Sequence, residues 1–161
     1  MTVTEYNTCV ENYADAVYRF IYKNIKDEDR AKDIVQDTFE KMWLKVNDII
    51  AEKAKSYLFT AAYNTMIDSI RKDKYKATYE DYHDDYLTTK NNYNDLKKVI
   101  DMALSKLNDI QRSVIMLRDY EGYSYEEIGK ITGLNESQVK VYIYRARLSM
   151  KEFIGTLENV V

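Results

Sequence analysis

Apolar side chains recur along most of this chain three and four positions apart, the rhythm of helices that bury one side. Val10, Tyr13, Ala14, Val17 and Ile21 set out a first helix, with Thr4 as its candidate N-cap. After the polar turn KDED, Ala31, Val35, Phe39, Met42 and Val46 share one face of a second helix, running from about Glu28 to Val46. Asp33, Gln36, Asp37, Glu40 and Lys41 occupy its other side. A loop over 47–55 leads to Ser56, a candidate cap for a third helix, SYLFTAAYNTMIDSIRKDK. Leu58, Ala62 and Met66 lie on one side of that helix, and Phe59, Tyr63 and Ile70 on another. Apolar character round most of the circumference predicts the central, most buried helix of its domain. Farther on, Val99, Ala103 and Leu107 mark one helix, and Ile110, Val114 and Leu117 mark another. The chain has no proline and only four glycines, which favours uninterrupted helices and an all-α fold.

Residues 118–153 carry the signals of a helix-turn-helix. Ser124 and Glu127 form a capping box that starts one helix. Gly129 stands where two crossing helices need a small residue, Gly133 supplies the left-handed end, Leu134 plugs the turn and Asn135 caps the next helix. On that second helix Val139, Ile143, Ala146 and Met150 share a core face. Ser137, Val141, Tyr144, Arg145 and Leu148 lie opposite, flanked by Lys140 and Lys151. Between Ser137 and Lys151 there are four basic residues and no acid, in a chain of formal charge −3. Phosphate contact explains that asymmetry, and the outward face is the one a major groove receives.

Charge and apolar content divide the chain in three. Residues 1–74 are nearly balanced and residues 96–161 slightly basic, whereas 75–95 hold two basic and five acidic residues and one aliphatic larger than alanine, Leu87. Such a stretch buries little surface, and it predicts a flexible acidic linker between two small helical domains. A single cysteine, Cys9, excludes an internal disulfide, and Cys9 with His83 is too little for a zinc site, so no metal is expected. No apolar run approaches the length of a membrane span and no basic-then-apolar leader opens the chain, which argues for an intracellular protein without membrane insertion. With no phosphate-binding glycine loop and no convincing acid–base or nucleophile set, no catalytic residue or cofactor is expected. Most of the 16 tyrosines read as amphipathic packing residues at the rims of small cores.

Three ordered segments resemble the group IV, extracytoplasmic-function sigma factors of bacterial RNA polymerase, within the sigma-70 family. AKDIVQDTFEKMW (31–43) is similar to the family's polymerase-clamp-binding helix, YLFTAAYNTMIDSIRK (57–72) to its helix that opens the −10 element, and residues 107–147 to its −35-binding domain. The resemblance implies a region 2-like domain over 1–74, the linker over 75–95 and a region 4-like helix-turn-helix domain over 96–161. It implies a polymerase patch of Asp33, Gln36, Asp37 and Glu40, and a −10 set of Asn64, Asp68, Arg71 and Lys72, with an extruded base in a pocket bordered by the 47–55 loop and Asn64. For the −35 element, Lys140, Arg145 and Arg147 are expected at phosphate or guanine, with Ser137, Gln138 and Val141 nearest base edges and Tyr144 on the same face. The implied partners are core RNA polymerase, promoter DNA and an anti-sigma factor, soluble or membrane-bound; the implied state is a cytoplasmic monomer that is not an enzyme. Tyr57, Thr60, Tyr63 and Tyr142 depart from residues frequent in the family, and Thr60 and Tyr63, at positions commonly basic, imply weaker phosphate attraction along the melting helix.

Two other functions compete. A stand-alone helix-turn-helix regulator would need a dimer surface to span paired half-sites. A sigma-mimicking interaction protein would keep the partner-binding face and lose the recognition-helix cations, which this chain retains.

Overall fold

The computed structural model describes residues 1–76 and 96–160. Every regular element among the described residues is helical: α1 (Val3–Ile25), α2 (Glu28–Leu44), α3 (Ala54–Lys76), α4 (Leu96–Ser105), α5 (Asp109–Asp119), α6 (Tyr125–Thr132) and α7 (Glu136–Val160). Most of the stretch read as an acidic linker lies outside the described residues.

Capping explains where the first helices start. The Thr2 hydroxyl accepts from the Glu5 amide at 3.1 Å while the Glu5 carboxylate accepts from the Thr2 amide at 2.8 Å, so the cap is Thr2 and not the expected Thr4. A full capping box satisfies two free amides where Thr4 offered one acceptor. Asp27 caps α2 by accepting from the Arg30 amide. The 47–55 loop contains two 3-10 turns, Val46–Asp48 and Ala51–Lys53, and the second runs directly into α3 at Ala54. Ser56 therefore sits inside the first turn of α3 instead of capping it. On α2 the buried residues are Ala31, Ile34, Thr38, Phe39 and Met42. Val35 and Val46 are only half-buried, so the core face is turned slightly from the expected one. Thr38 tolerates burial because its hydroxyl donates to the Ile34 carbonyl at 2.8 Å.

In the first unit α1, α2 and α3 pack on one another through Val17, Phe20, Ile21, Met42, Leu58, Ala62 and Met66. In the second, α7 packs against α4, α5 and α6. Arg112 is a buried guanidinium that fastens the α4–α5 corner. It donates to the carbonyls of Leu104 at 2.9 Å and of Leu107, and its charge is offset by Asp109 at 3.1 Å.

The two units are apposed: α1 lies against α4 and α5, and α3 against α6. Buried side chains from both belong to one continuous apolar cluster. The all-round apolarity of α3 thus has two causes. Leu58, Ala62 and Met66 face its own unit, while the ring of Phe59 stands edge-on between Phe20 of α1 and Tyr123 of the second unit, 5.7 Å from each.

Candidate nucleic-acid and polymerase interfaces

The helix-turn-helix is built as its residue types require. Ser124 and Glu127 exchange cap hydrogen bonds of 3.1 and 2.9 Å at the start of α6. A Cβ on Gly129 would lie 2.7 Å from the Leu134 carbonyl oxygen, so only glycine lets the turn fold back this closely. Gly133, at φ 83°, ends α6 with its amide donating to the Gly129 carbonyl. Asn135 and Gln138 then exchange a second reciprocal pair, 2.8 and 2.9 Å, that starts α7.

With Val139, Ile143 and Ala146 buried, the opposite side of α7 is open. Ser137, Gln138, Lys140, Val141, Tyr144, Arg145 and Leu148 are all exposed, Tyr144 to 67%. Lys140 is 3.7 Å from Glu136 and 5.5 Å from the Tyr125 ring centre, both near the N-terminal end of this face. Arg145 has no ion-pair partner among the described residues and stands free at the centre of the face. Arg147 is placed differently: its guanidinium donates to Asp119 at 2.5 Å and lines an apolar groove formed with Ile100, Leu104, Ile115 and Met150. That ion pair draws Arg147 toward α5, beside the open face and not on it. Arg118, which the sequence did not single out, packs 4.5 Å from the Tyr125 ring and donates to the Tyr123 carbonyl. Together with Lys140 it makes a cationic flank at the start of the motif. The aromatic ring between them was the only signal, and it becomes informative once the turn closes.

On the first unit, Asp33, Gln36 and Glu40 are exposed and Asp37 is half-buried. Asp33 and Asp37 share a groove of about 460 Å³ between α2 and α3 with Asp68 and Lys72. Two sets of residues that the sequence suggested as separate patches are therefore brought together. Arg30 fixes the groove's width by donating to the Ser69 carbonyl at 2.9 Å and pairing with Asp73. Lys41 spans the helices, 3.5 Å from Asp37 and donating to Thr65 at 2.9 Å.

The outward stripe of α2 continues past Glu40 to Trp43 and Leu44, exposed to 45% and 82%. Tyr6 holds this end in place, its ring edge-on to Trp43 at 5.0 Å and its hydroxyl donating to the Phe39 carbonyl. Sequence reading missed the pair, because apolar residues beside a core face look like part of it until the helix is rotated into place.

Asn64 and Arg71 are exposed on α3. The helix expected to be the most buried of its domain thus leaves Asn64 facing solvent. Tyr63, by contrast, is 7% exposed, and burial raises its hydroxyl's pKa. Among the described residues no cluster of His, Cys, Asp and Glu could hold a metal ion, and no helix is long and apolar enough to cross a membrane.

Comparison with known proteins assigns both halves. Residues 9–75 match Sigma-70 region 2, and residues 97–150 match Sigma-70, region 4. The chain is 31% identical over 147 residues to the RNA polymerase sigma factor SigV of Bacillus subtilis, covering 89% of this chain and 87% of that one. It is 28% identical over 156 residues to the ECF RNA polymerase sigma factor SigM of the same organism, covering 94% of each. The sigma factor RpoE from Bartonella quintana, in its complex with the anti-sigma factor NepR, superposes with a TM-score of 0.79 at 26% identity, over 95% of this chain and 98% of that one. The chain belongs to the extracytoplasmic-function sigma factors of the sigma-70 family, which direct promoter-specific initiation by RNA polymerase.

Proposed function

We propose that α1–α3, within residues 1–74, bind core polymerase and engage the −10 element, and that α4–α7, within 96–161, bind the −35 element, with 75–95 connecting them. The observation that carries this reading is the open face of α7, where Lys140 and Arg145 flank exposed Ser137, Gln138, Val141 and Tyr144. Val141 suits a thymine methyl group, and Arg145 a guanine edge or a phosphate. Arg147 plays a smaller part than Arg145, since its charge is partly spent on Asp119; it reaches phosphate at the edge of the face. Arg118 adds a second peripheral cation.

Core polymerase docks along α2. Asp33, Gln36, Asp37 and Glu40 supply charge that steers and registers the encounter. Trp43 and Leu44 extend the contact with an apolar end. On α3, Asn64 borders the pocket for the extruded −10 base, Arg71 meets phosphate, and Asp68 and Lys72 form the polar wall shared with the polymerase groove. Such a protein selects and opens DNA without chemistry of its own, acts in the cytoplasm and is a monomer when free. The complex of RpoE with NepR supports an anti-sigma factor as a further partner.

Binding to a −35 duplex, followed by fluorescence anisotropy across a salt series, tests the assignment. The wild-type chain should show a steep decline in affinity with salt. Lys140→Ala with Arg145→Ala should weaken binding and reduce the slope by about one per lost phosphate contact. Equal affinity and slope in the double variant would remove both residues from the interface.

A further inference from the structure

We infer that the cavity where α1 meets α4 and the end of α5, at one edge of the seam between the two units, is a binding site for a nucleoside polyphosphate. The cavity holds about 500 Å³, within the range of small-molecule sites. It belongs neither to the open face of α7 nor to the outward stripe of α2, so the inference goes beyond the promoter and polymerase contacts given above.

Charge is the first observation. Arg19 and Lys23 of α1, Lys26 at its end and Lys97 from the first turn of α4 line the cavity, and among the described residues Asp101 is the one acid that lines it with them. Lys23 pairs with Asp101 at 2.5 Å, and Arg19 reaches Glu121, beside the cavity, at 3.1 Å. Four cations thus meet two carboxylates, in a chain whose formal charge is −3. A cleft lined by surplus charge of one sign concentrates ions of the other, and most strongly those of high valence. Polyphosphate has that valence, and arginine and lysine are the side chains that bind it.

Lys26 is held there at a cost. At φ 57° it is the one non-glycine residue with a left-handed backbone among the described residues, and its amide donates to the Tyr22 carbonyl at 2.7 Å. A residue with a Cβ adopts that conformation less readily than the glycine that commonly ends a helix. Partial desolvation lowers the pKa of its ammonium; Asp101 opposes this, and Lys23 and Arg112 add to it. Since Asp101 is already paired with Lys23, a bound phosphate supplies the missing counter-charge. Two phenol rings share the space. Tyr22 and Tyr120 line the cavity and are each 38% exposed. Tyr18 braces Tyr22, their planes 8° apart and centres 5.8 Å apart, and the Lys23 ammonium lies 5.6 Å from the Tyr120 ring centre. Half-exposed rings beside cations take a stacked base together with its phosphates. An inorganic anion would use the charge and leave the rings idle.

Titration calorimetry of the full chain with ADP and ATP, in magnesium-free buffer, tests the site. Both should bind, with AMP about tenfold weaker because it brings less charge to the cations. Pyrophosphate should also bind about tenfold more weakly than ADP, because it forgoes the stacked base. Lys26→Gln with Lys97→Gln should abolish ADP binding without lowering the melting temperature. Lys26→Arg with Lys97→Arg keeps the charge and should keep the binding. Tyr22→Ala should bring ADP down to the affinity of pyrophosphate.

Absence of binding by ADP and ATP at millimolar concentration would overturn the inference. So would ADP binding that survives Lys26→Gln with Lys97→Gln, or that is lost with Lys140→Ala and Arg145→Ala, which would put the nucleotide on the α7 face. Equal affinity for pyrophosphate and ADP would overturn the nucleotide assignment. Titration with a −35 duplex supplies the last arm: the glutamine variant should bind it like the wild type, and a loss parallel to that of ADP would make these cations a nucleic-acid contact and end the inference.

Discussion

Gly129 and Asn64 show what a single position decides here. A Cβ on Gly129 would press on the Leu134 carbonyl at 2.7 Å, and a backbone atom cannot swing aside as a flexible side chain does. Gly129→Ala is expected to cost about 1–3 kcal/mol and to lower both the urea midpoint and −35 binding. Asn64 is the converse case. It is exposed, so Asn64→Ala should leave the melting temperature unchanged while slowing open-complex formation on duplex promoters. A template already mismatched over the −10 region should remove the defect, because the unpairing cost is gone. Permanganate reactivity of unpaired thymines measures the effect, and equal opening by variant and wild type would exclude a role in the pocket. Gly129, Gly133 and the Ser124–Glu127 box were legible in the sequence because turn chemistry is local. The exposure of Asn64 was not, since it depends on which side of α3 the other helices cover.

At the scale of elements, α2 presents two kinds of docking surface in sequence along one stripe. Its acidic part should govern association and its apolar end dissociation, because long-range steering belongs to charge and residence to buried apolar contact. Asp33→Lys with Asp37→Lys is expected to slow association with core polymerase, with an effect that shrinks as salt rises. Trp43→Ala with Leu44→Ala should hasten dissociation to a similar degree at all salt concentrations. Surface-plasmon kinetics over a salt series distinguish the two, and identical salt behaviour in both variants would contradict the division. Helix existence along this chain was readable from three-and-four spacing, but phase was not. The α2 pattern allowed either Val35 or Ile34 inward, and packing against α1 and α3 selected Ile34, with Thr38 satisfied by its own backbone bond. The cap at α1 shifted by two residues for a similar reason: Thr2 and Thr4 are both acceptable caps, and only the reciprocal Glu5 bond favours the first.

For the molecule as a whole, two helical units and a terminal helix-turn-helix could be read from periodicity and charge, whereas their apposition could not. The seam joins Asn24 to Ser113 and Phe59 to Tyr123, pairs that are remote in sequence and individually ordinary. Phe59 on the apolar circumference of α3 was the visible trace of that contact, attributed to a single domain because nothing local distinguishes the two. The central claim, that this chain directs polymerase to promoters through separate −10 and −35 contacts, is tested most directly by transcription in vitro with sigma-free core enzyme and promoters selected by the purified chain. The expected result is initiation that depends on the chain and on both elements, is lost with Lys140→Ala and Arg145→Ala when the −35 element is required, and is impaired with Asn64→Ala on duplex but not on mismatched templates. Core enzyme that gains no promoter-dependent transcript from the wild-type chain, or initiation indifferent to both elements, would contradict it.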